Sequence, residues 1–145
     1  MVSIYTIGYE GSTVESLISD LEENGVDLLA DVREYPSSRK KGFSKKALKI
    51  RLETRGIEYM HLPELGSSGE LRKKYHEDGD FSYLEQKFKA GFPARKSTLQ
   101  ELLSVAPERT LCLMCYEADP LRCHRSILAD ELVDLSGGKV RIFDL

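Results

Sequence analysis

Short apolar runs alternate along the chain with stretches in which apolar residues recur at helical spacing. The apolar runs span Val2–Ile7, Val26–Val32, Ile57–Leu62, Thr110–Cys115 and Val140–Phe143. Each run is bounded by turn residues, which is the pattern of a buried strand. Because strands that alternate with helices form parallel sheets with helices on both faces, the pattern predicts an α/β fold with a mostly parallel sheet of about five strands. The whole chain, residues 1–145, is expected to form one domain.

The alternation is interrupted between the third and fourth apolar runs. Residues 64–93 contain a Gly-Ser turn at Gly66–Gly69, a charged helical stretch near Glu70–Glu77 and a second helical stretch around Leu84 and Phe88. Long excursions of this kind are often functional. We therefore expect a helical insertion near residues 64–93, placed between two strands of the sheet.

Polar residues follow three of the predicted strands. The loops that carry them are Gly8–Gly11, Arg33–Arg39 and Cys115–Asp119. Parallel strands end at the same edge of their sheet, and ligands of such sheets bind at that edge, beside helix N-termini. We therefore expect these loops to converge although they are distant in sequence. The first two loops supply candidates for binding a negatively charged group, which are Tyr9, Glu10, Arg33, Ser38 and Arg39.

The segment from Cys115 to Ser126 holds the densest group of reactive side chains. It follows an apolar run and contains two thiols, an imidazole, two guanidinium groups and two carboxylates. Asp119 and Pro120 suit the N-cap and the first position of a helix that extends to Leu135. Helix N-termini favour anions and thiolates, because their N–H groups are unpaired and the helix dipole is positive there. The sequence thus predicts a site in this segment.

The candidates for catalysis at the predicted edge are Asp31, Cys115, Glu117, Cys123 and His124. A cysteine is a candidate nucleophile or redox thiol, because the helix dipole and a nearby arginine lower the pKa of a thiol. Asp31, Glu117 or His124 would transfer a proton. Arg33 and Arg125, together with Ser126, would bind the negative charge of the substrate.

Simpler interpretations of the same residues stay open. Cysteines are often small buried apolar residues, so Cys115 and Cys123 would then belong to the core. His124 borders the apolar face of its predicted helix and would make a structural hydrogen bond. Asp31 and Arg33 would form ion pairs across the strand ends.

Two established kinds of cysteine site fit the segment poorly. The cysteines of zinc sites are usually separated by about two to four residues, whereas seven residues separate Cys115 from Cys123. Phosphate-binding loops rely on backbone N–H groups and glycines, whereas Glu117 and Asp119 place negative charge inside this loop. No metal ligand is therefore assigned, and a metal-stabilised structural domain is kept as an alternative. No cofactor follows from the sequence.

Composition and charge are those of an ordinary soluble domain, with 41% apolar and 31% charged residues. A net charge of −3 gives no overall attraction to nucleic acid or to an anionic membrane. No apolar run approaches the length of about 18 residues that a membrane-spanning helix needs, so no membrane partner is expected. The odd number of cysteines, three, and the lack of a leader-like start favour a reducing cytoplasm over secretion.

One basic segment contrasts with this overall charge. Residues Arg39–Arg51 include seven basic residues among thirteen and no acidic one. Such a run usually solvates the outer face of a helix. The alternative is a patch that binds the phosphate backbone of a nucleic acid, with Tyr35 and Phe43 available to stack on bases. A nucleic-acid-binding module is therefore a second hypothesis for the function.

Several short motifs occur together over nearly the whole chain. They are Thr6–Glu10, Asp31–Arg33 with Pro36 and Ser38, Gly42–Ser44, Tyr59 with His61–Gly66, Cys115 with Glu117, and Cys123–Ser126. In combination they resemble the family named domain of unknown function 488. The resemblance implies a compact prokaryotic α/β domain and implies no agreed activity. It adds weight to the predicted loops rather than to any one reaction.

The favoured hypothesis is an enzyme or ligand-binding domain that acts on a small anionic or nucleotide-like group. Its site would lie at the carboxyl edge of the sheet, around the Cys123-His124-Arg125 motif. The expected partner is therefore a small anionic ligand, with a nucleic acid as the alternative. The reaction and the oligomeric state do not follow from the sequence.

Overall fold

The computed structural model describes residues 1–145 and contains a five-stranded sheet. Its strands are β1 (Val2–Gly8), β2 (Leu28–Asp31), β3 (Glu58–His61), β4 (Leu111–Cys115) and β5 (Val140–Asp144). They lie in the order β3-β2-β4-β1-β5, and each neighbouring pair is parallel. The predicted α/β fold with about five strands is confirmed, and the sheet is parallel throughout.

Six α-helices connect the strands. They are α1 (Val14–Glu23), α2 (Lys45–Thr54), α3 (Gly69–Asp78), α4 (Phe81–Lys89), α5 (Phe92–Val105) and α6 (His124–Leu135). Short 3₁₀ turns lie at Pro63–Leu65 and Pro120–Arg122. The helices α3 and α4 form the insertion expected near residues 64–93. None of the helices combines the length and the apolar content that crossing a membrane requires.

Both faces of the sheet are covered by helices. Leu17 of α1 and Leu48 of α2 pack in a buried cluster on one face. Leu84 of α4, Leu99 of α5 and Leu128 of α6 pack in a second cluster on the other face. The central strand β4 is consequently buried at every position, which explains its uninterrupted apolar sequence.

The chain leaves the neighbouring strands β1 and β4 toward opposite faces of the sheet. The helix α1 follows β1 and packs on one face, whereas α6 follows β4 and packs on the other. In an open parallel sheet, this divergence leaves a crevice at the carboxyl ends of the two strands. Since β2 lies next to β4 on its other side, the loops after β1, β2 and β4 all open at this edge.

The start of α6 differs from the prediction. Asp119 caps the short 3₁₀ turn, where its Oδ1 accepts the N–H of Leu121 at 3.0 Å, and it does not begin the α-helix. Cys123 then adopts an extended backbone with φ −134° and ψ 143°, which ends that turn. The helix therefore begins at His124, and Cys123 is its N-cap residue rather than part of its first turn.

Two other helix starts also lie slightly away from the capping boxes that the sequence suggests. A box of Ser12 with Glu15 is expected at α1, but Thr13 forms the box with Ser16 instead. A box of Ser82 with Glu85 is expected at α4, whereas the side chain of Asp80 caps that helix. In each case a neighbouring short polar side chain can accept the same kind of backbone N–H, so residue type alone does not select the cap.

Candidate functional site

A pocket of about 290 Å³ opens at the carboxyl edge of the sheet. The end of β4 contributes Cys115, the loop after it contributes Glu117, and the loops after β1 and β2 contribute Tyr9 and Arg33. His124, at the start of α6, also lines the pocket. The structure thus brings together residues from the three loops that the sequence analysis expected to converge.

A disulfide joins Cys115, at the end of β4, to Cys123, at the start of α6. Both side chains are buried, but Cys115 lines the pocket and Cys123 does not. The Cys115 sulfur lies 3.6 Å from Oε2 of Glu117, which also lines the pocket. A molecule in the pocket would therefore meet Cys115 first, with Cys123 behind it.

Arg125 is fully buried next to the disulfide. Its Nη1 lies 3.0 Å from the Cys115 sulfur and also donates to the carbonyl of Glu117. Nε donates to Oγ1 of Thr6 and Nη2 donates to the carbonyl of Ala118, each at 3.2 Å. Burial lowers the pKa of Arg125, but a guanidinium stays charged in proteins. No carboxylate lies within 4.0 Å of this charge, and reduction of the disulfide would place an ionisable thiol of Cys115 in contact with it.

Gly8 ends β1 at a point where the loop after β4 passes directly over the backbone. A Cβ atom at Gly8 would lie 1.7 Å from the carbonyl oxygen of Glu117 and 2.9 Å from Nη1 of Arg125. Only a glycine allows this approach. The N–H of Tyr9 then donates to the carbonyl of Cys115 at 3.2 Å, which fastens the two loops together.

Asp31 and Arg33 form a buried ion pair beside the pocket. Nε and Nη2 of Arg33 donate to the two carboxylate oxygens at 2.8 and 2.6 Å. The Tyr59 hydroxyl donates to the same carboxylate at 2.5 Å, and burial together with this carboxylate raises the pKa of Tyr59. Nη1 of Arg33 donates to the Phe43 carbonyl at 2.7 Å and to the Tyr9 hydroxyl at 3.2 Å. The ion pair therefore joins two residues at the end of β2, and Arg33 holds Tyr9 in its position in the pocket wall.

His124 is a buried, neutral imidazole. Nε2 lies 2.9 Å from the carbonyl of Val32, so the ring proton is assigned to Nε2, and Nδ1 faces the Cys123 sulfur at 3.8 Å. Burial lowers the pKa of His124 to about 4. Burial has the opposite effect on the carboxyl group of Glu117, whose pKa is raised.

The helical insertion supplies a wall of the pocket that the sequence did not predict. Arg72 and His76 of α3 both line the pocket. Arg72 donates to the carbonyl of Ser67, and its Nη2 lies 3.9 Å from the carboxylate of Glu34. Arg72 and His76 are four residues apart, so their side chains lie on one face of the helix. Nothing in the sequence indicates that this face is turned toward the strand ends. The exposed ring of Tyr35 lies 6.0 Å from the Arg72 guanidinium.

Five of the predicted binding residues lie outside the pocket lining, namely Glu10, Ser38, Arg39, Arg125 and Ser126. The Glu10 carboxylate accepts the N–H of Ala118 at 3.1 Å and holds the loop after β4. The N–H of Ser38 donates to the Ser44 hydroxyl at 3.3 Å, and the Ser126 hydroxyl donates to the Cys123 carbonyl at 2.9 Å. Arg39 is exposed. The side chains of Glu10 and Ser126 and the backbone of Ser38 therefore form hydrogen bonds within the protein that hold the surrounding loops.

The two disulfide cysteines and the neighbouring Glu117 are side chains of types that bind metal ions. The sulfurs of Cys115 and Cys123 and a carboxylate oxygen of Glu117 all lie within 4.8 Å of one another. Thiolates and carboxylates are ligands of zinc and related ions.

Comparison with known proteins identifies the family of the chain. The family described as Domain of unknown function DUF488 matches residues 13–132. The chain belongs to this family. No curated protein and no solved structure matches the chain. The DUF488 match begins after β1 and includes the ends of β2 and β4 and the start of α6, so it contains the cysteine pair and Arg125.

The basic segment of this DUF488 protein covers the loop after β2 and most of α2. Its lysines and arginines do not line the pocket around Cys115. Lys49 lies 3.7 Å from Glu53, and Arg51 lies 2.7 Å from Glu15. Neighbouring acidic residues therefore neutralise part of the segment's charge.

Proposed function

We propose that this DUF488 protein is an enzyme that reduces small anionic disulfides by thiol–disulfide exchange at Cys115. The observation that carries the proposal is the buried guanidinium of Arg125, 3.0 Å from the Cys115 sulfur and without a carboxylate partner. A positive charge in this position stabilises the thiolate of the reduced protein, and the thiolate is the attacking form of a cysteine. Cys123 then acts as the resolving cysteine.

The reaction has two exchange steps. The Cys115 thiolate attacks one sulfur of the substrate disulfide, a mixed disulfide forms, and the first substrate thiolate leaves. Cys123 loses its proton to that thiolate and attacks the Cys115 sulfur, which forms the Cys115–Cys123 disulfide and releases the second substrate thiolate. Two electrons pass from the protein to the substrate. A thiol reductant of the cytoplasm, where we place the protein, returns the disulfide to the dithiol.

In this proposal the substrate is small and its negative charge lies next to Arg72, on the side of the pocket away from the Glu117 carboxylate, although Glu34 and Glu117 also line the pocket. A volume of about 290 Å³ is at the small end for ligand pockets. Arg72 and His76 lie on α3 and line the pocket, and Arg72 has a carboxylate no closer than 3.9 Å. In this proposal the Asp31–Arg33 pair positions the wall formed by Tyr9, because its own hydrogen bonds are already made within the protein.

Trapping of the mixed disulfide tests the proposal. The reduced Cys123→Ser variant is mixed with glutathione disulfide, and its intact mass is measured. We expect one glutathione adduct on Cys115, since the resolving thiol is absent. Cys115→Ser should form no adduct at a comparable rate, and the Cys112→Ala control should cycle to the intramolecular disulfide as the wild type does. A wild-type protein that forms neither adduct nor disulfide, or a Cys115→Ser variant that reacts as fast as Cys123→Ser, would overturn the proposal.

A further inference from the structure

We infer that the reduced Cys115 and Cys123 thiolates, together with Glu117, bind a thiophilic divalent metal ion. The binding site is independent of the proposed reaction. Its consequence, reversible inhibition by metal, rests on the proposed function. The disulfide removes both sulfur ligands, so the oxidised protein cannot hold the ion at this site.

The first support is the geometry of the three ligand atoms. A Glu117 oxygen lies 3.6 Å from the Cys115 sulfur, and a carboxylate oxygen of Glu117 also lies within 4.8 Å of the Cys123 sulfur to which Cys115 is bonded. Atoms bound to one zinc ion at about 2.0–2.3 Å lie within about 4 Å of one another. Cys115 ends β4, Glu117 lies in the loop that follows, and Cys123 is the N-cap of α6, so the three ligands come from adjacent parts of the chain.

The second support is the spacing of the two backbones. The Cα atoms of Cys115 and Cys123 are 7.4 Å apart, whereas disulfides usually span about 4.4–6.8 Å. Two thiolates that share a zinc ion lie about 3.8 Å apart, which is wider than the sulfur separation of about 2.05 Å in a disulfide. A wide backbone spacing therefore suits the metal-bound pair.

The third support is the balance of charge in a buried place. Two thiolates and the Glu117 carboxylate are negative, and the guanidinium of Arg125 is positive. A divalent ion leaves this group without net charge, which avoids the cost of burying an unpaired charge. The contact of 3.0 Å from Nη1 of Arg125 to the Cys115 sulfur also gives the thiolate ligand a supporting hydrogen bond.

The site would keep one coordination position open. Cys115 and Glu117 line the pocket, whereas Cys123 lies behind them. Three protein ligands with an open fourth position are typical of catalytic zinc sites rather than of closed structural ones. An ion held in this way occupies the Cys115 thiolate and blocks its attack on a disulfide.

Metal binding to the reduced protein tests the inference. Reduced protein is titrated with Co²⁺ without oxygen, and thiolate-to-cobalt absorption is recorded. Zn²⁺ bound per chain is measured by elemental analysis after desalting. We expect one ion per reduced chain and none in the oxidised protein. Cys115→Ser and Cys123→Ser should lose the absorption, Glu117→Gln should bind at least about tenfold more weakly, and Cys112→Ala should bind as the wild type does.

The inhibition is measured on the wild-type protein with glutathione disulfide. One equivalent of Zn²⁺ should slow disulfide formation by at least about tenfold, and a chelator should restore the rate. A reduced protein that binds no Co²⁺ or Zn²⁺, or a Glu117→Gln variant with wild-type affinity, would overturn the three-ligand site. Metal binding without any reaction with glutathione disulfide would overturn the proposed function alone. Reaction without metal binding would overturn the present inference alone.

Discussion

Arg125 connects the Cys115 sulfur to the backbone of the loop that follows β4. It is fully buried, and it donates to the carbonyls of Glu117 and Ala118 as well as to the Cys115 sulfur. The same guanidinium therefore holds the loop after β4 and contacts the sulfur that reacts in the proposed function. Its removal leaves buried acceptors without a donor, which costs about 1–3 kcal/mol for each group that stays unsatisfied.

Replacing Arg125 should slow the chemistry of Cys115. In the reduced, metal-free protein at pH 7, we expect Arg125→Met to lower the rate of Cys115 alkylation by iodoacetamide by about tenfold or more, because the thiolate loses its positive neighbour. Peptide mapping by mass spectrometry gives the rate for each cysteine. The matched control is Arg122→Met, an exposed arginine that donates to the Tyr75 hydroxyl, and it should leave the rate unchanged. Equal rates in Arg125→Met and wild type would contradict the role given to Arg125.

His124 should make the folded state sensitive to acid. Its pKa is about 4 in the folded protein because it is buried, whereas an exposed histidine in the unfolded chain titrates near 6.5. The unfolded chain therefore binds the proton first, and stability falls as the pH drops from about 6.5 toward 4.

The full loss amounts to about 3 kcal/mol and levels off below the lower pKa. The free energy of unfolding of the oxidised protein is measured with urea between about pH 6.5 and pH 4, with His124→Gln as the control. Glutamine keeps a donor for the Val32 carbonyl but has no titrating group. We expect the variant to lose correspondingly less stability over the same interval, and parallel curves would contradict the assignment of a neutral, buried imidazole.

Among the strands and loops, the crossing of β1 by the loop after β4 is the tightest contact near the site. A methyl group at Gly8 would overlap the Glu117 carbonyl at 1.7 Å. We expect Gly8→Ala to destabilise the protein by at least about 1–3 kcal/mol, measured by urea unfolding, because a backbone atom has to move. It should also slow the reaction of Cys115, since the displaced loop carries Glu117.

Gly69→Ala is the matched control for this change. Gly69 begins α3, and a Cβ atom there would meet only Nη2 of Arg72, at 3.8 Å. Its effect should stay within about 0.5 kcal/mol. Similar losses in the two variants would show that the contact between Gly8 and the loop is not tight.

Strands are the elements that the sequence predicts best. Five apolar runs predict the five strands, because the central strands of a parallel sheet are buried on both faces and are apolar along most of their length. The start of α6 is predicted less well, since Asp119 and Pro120 suit an α-helix and a 3₁₀ turn equally. The extended backbone at Cys123 depends on contacts made by the folded chain, which no local preference encodes.

For the molecule as a whole, the sheet topology predicts the edge at which the loops converge. It predicts only some of the residues that line the pocket there. Tyr9, Arg33 and Cys115 meet there because β1, β2 and β4 are adjacent parallel strands. Arg72 and His76 were not predicted, because the position of the inserted helix α3 depends on packing. Arg33 and Arg125 are buried, and their N–H groups donate to acceptors within the protein. The sequence does not indicate that these donors have partners inside the fold.

The basic residues of the segment Arg39–Arg51 lie outside the pocket. We expect the triple variant Lys45→Gln, Lys46→Gln and Lys49→Gln to change the rate of reaction with glutathione disulfide by less than about twofold, because exposed charges outside the pocket are screened by salt. The rate is measured by release of glutathione at two salt concentrations. A large loss of rate in the variant would contradict this separation. If the segment binds nucleic acid, the variant should instead lose an affinity that falls steeply with salt.

The wall built by α3 has a consequence for how the protein can be altered. Arg72 and His76 belong to a ten-residue helix inserted between β3 and β4, whereas the thiols belong to the end of β4 and the start of α6. If the proposed function is right, the cation that contacts the ligand and the thiols that react with it lie in separate stretches of the polypeptide. Exchanging that one surface helix should redirect the protein toward differently charged molecules while sparing the apparatus that reacts with them.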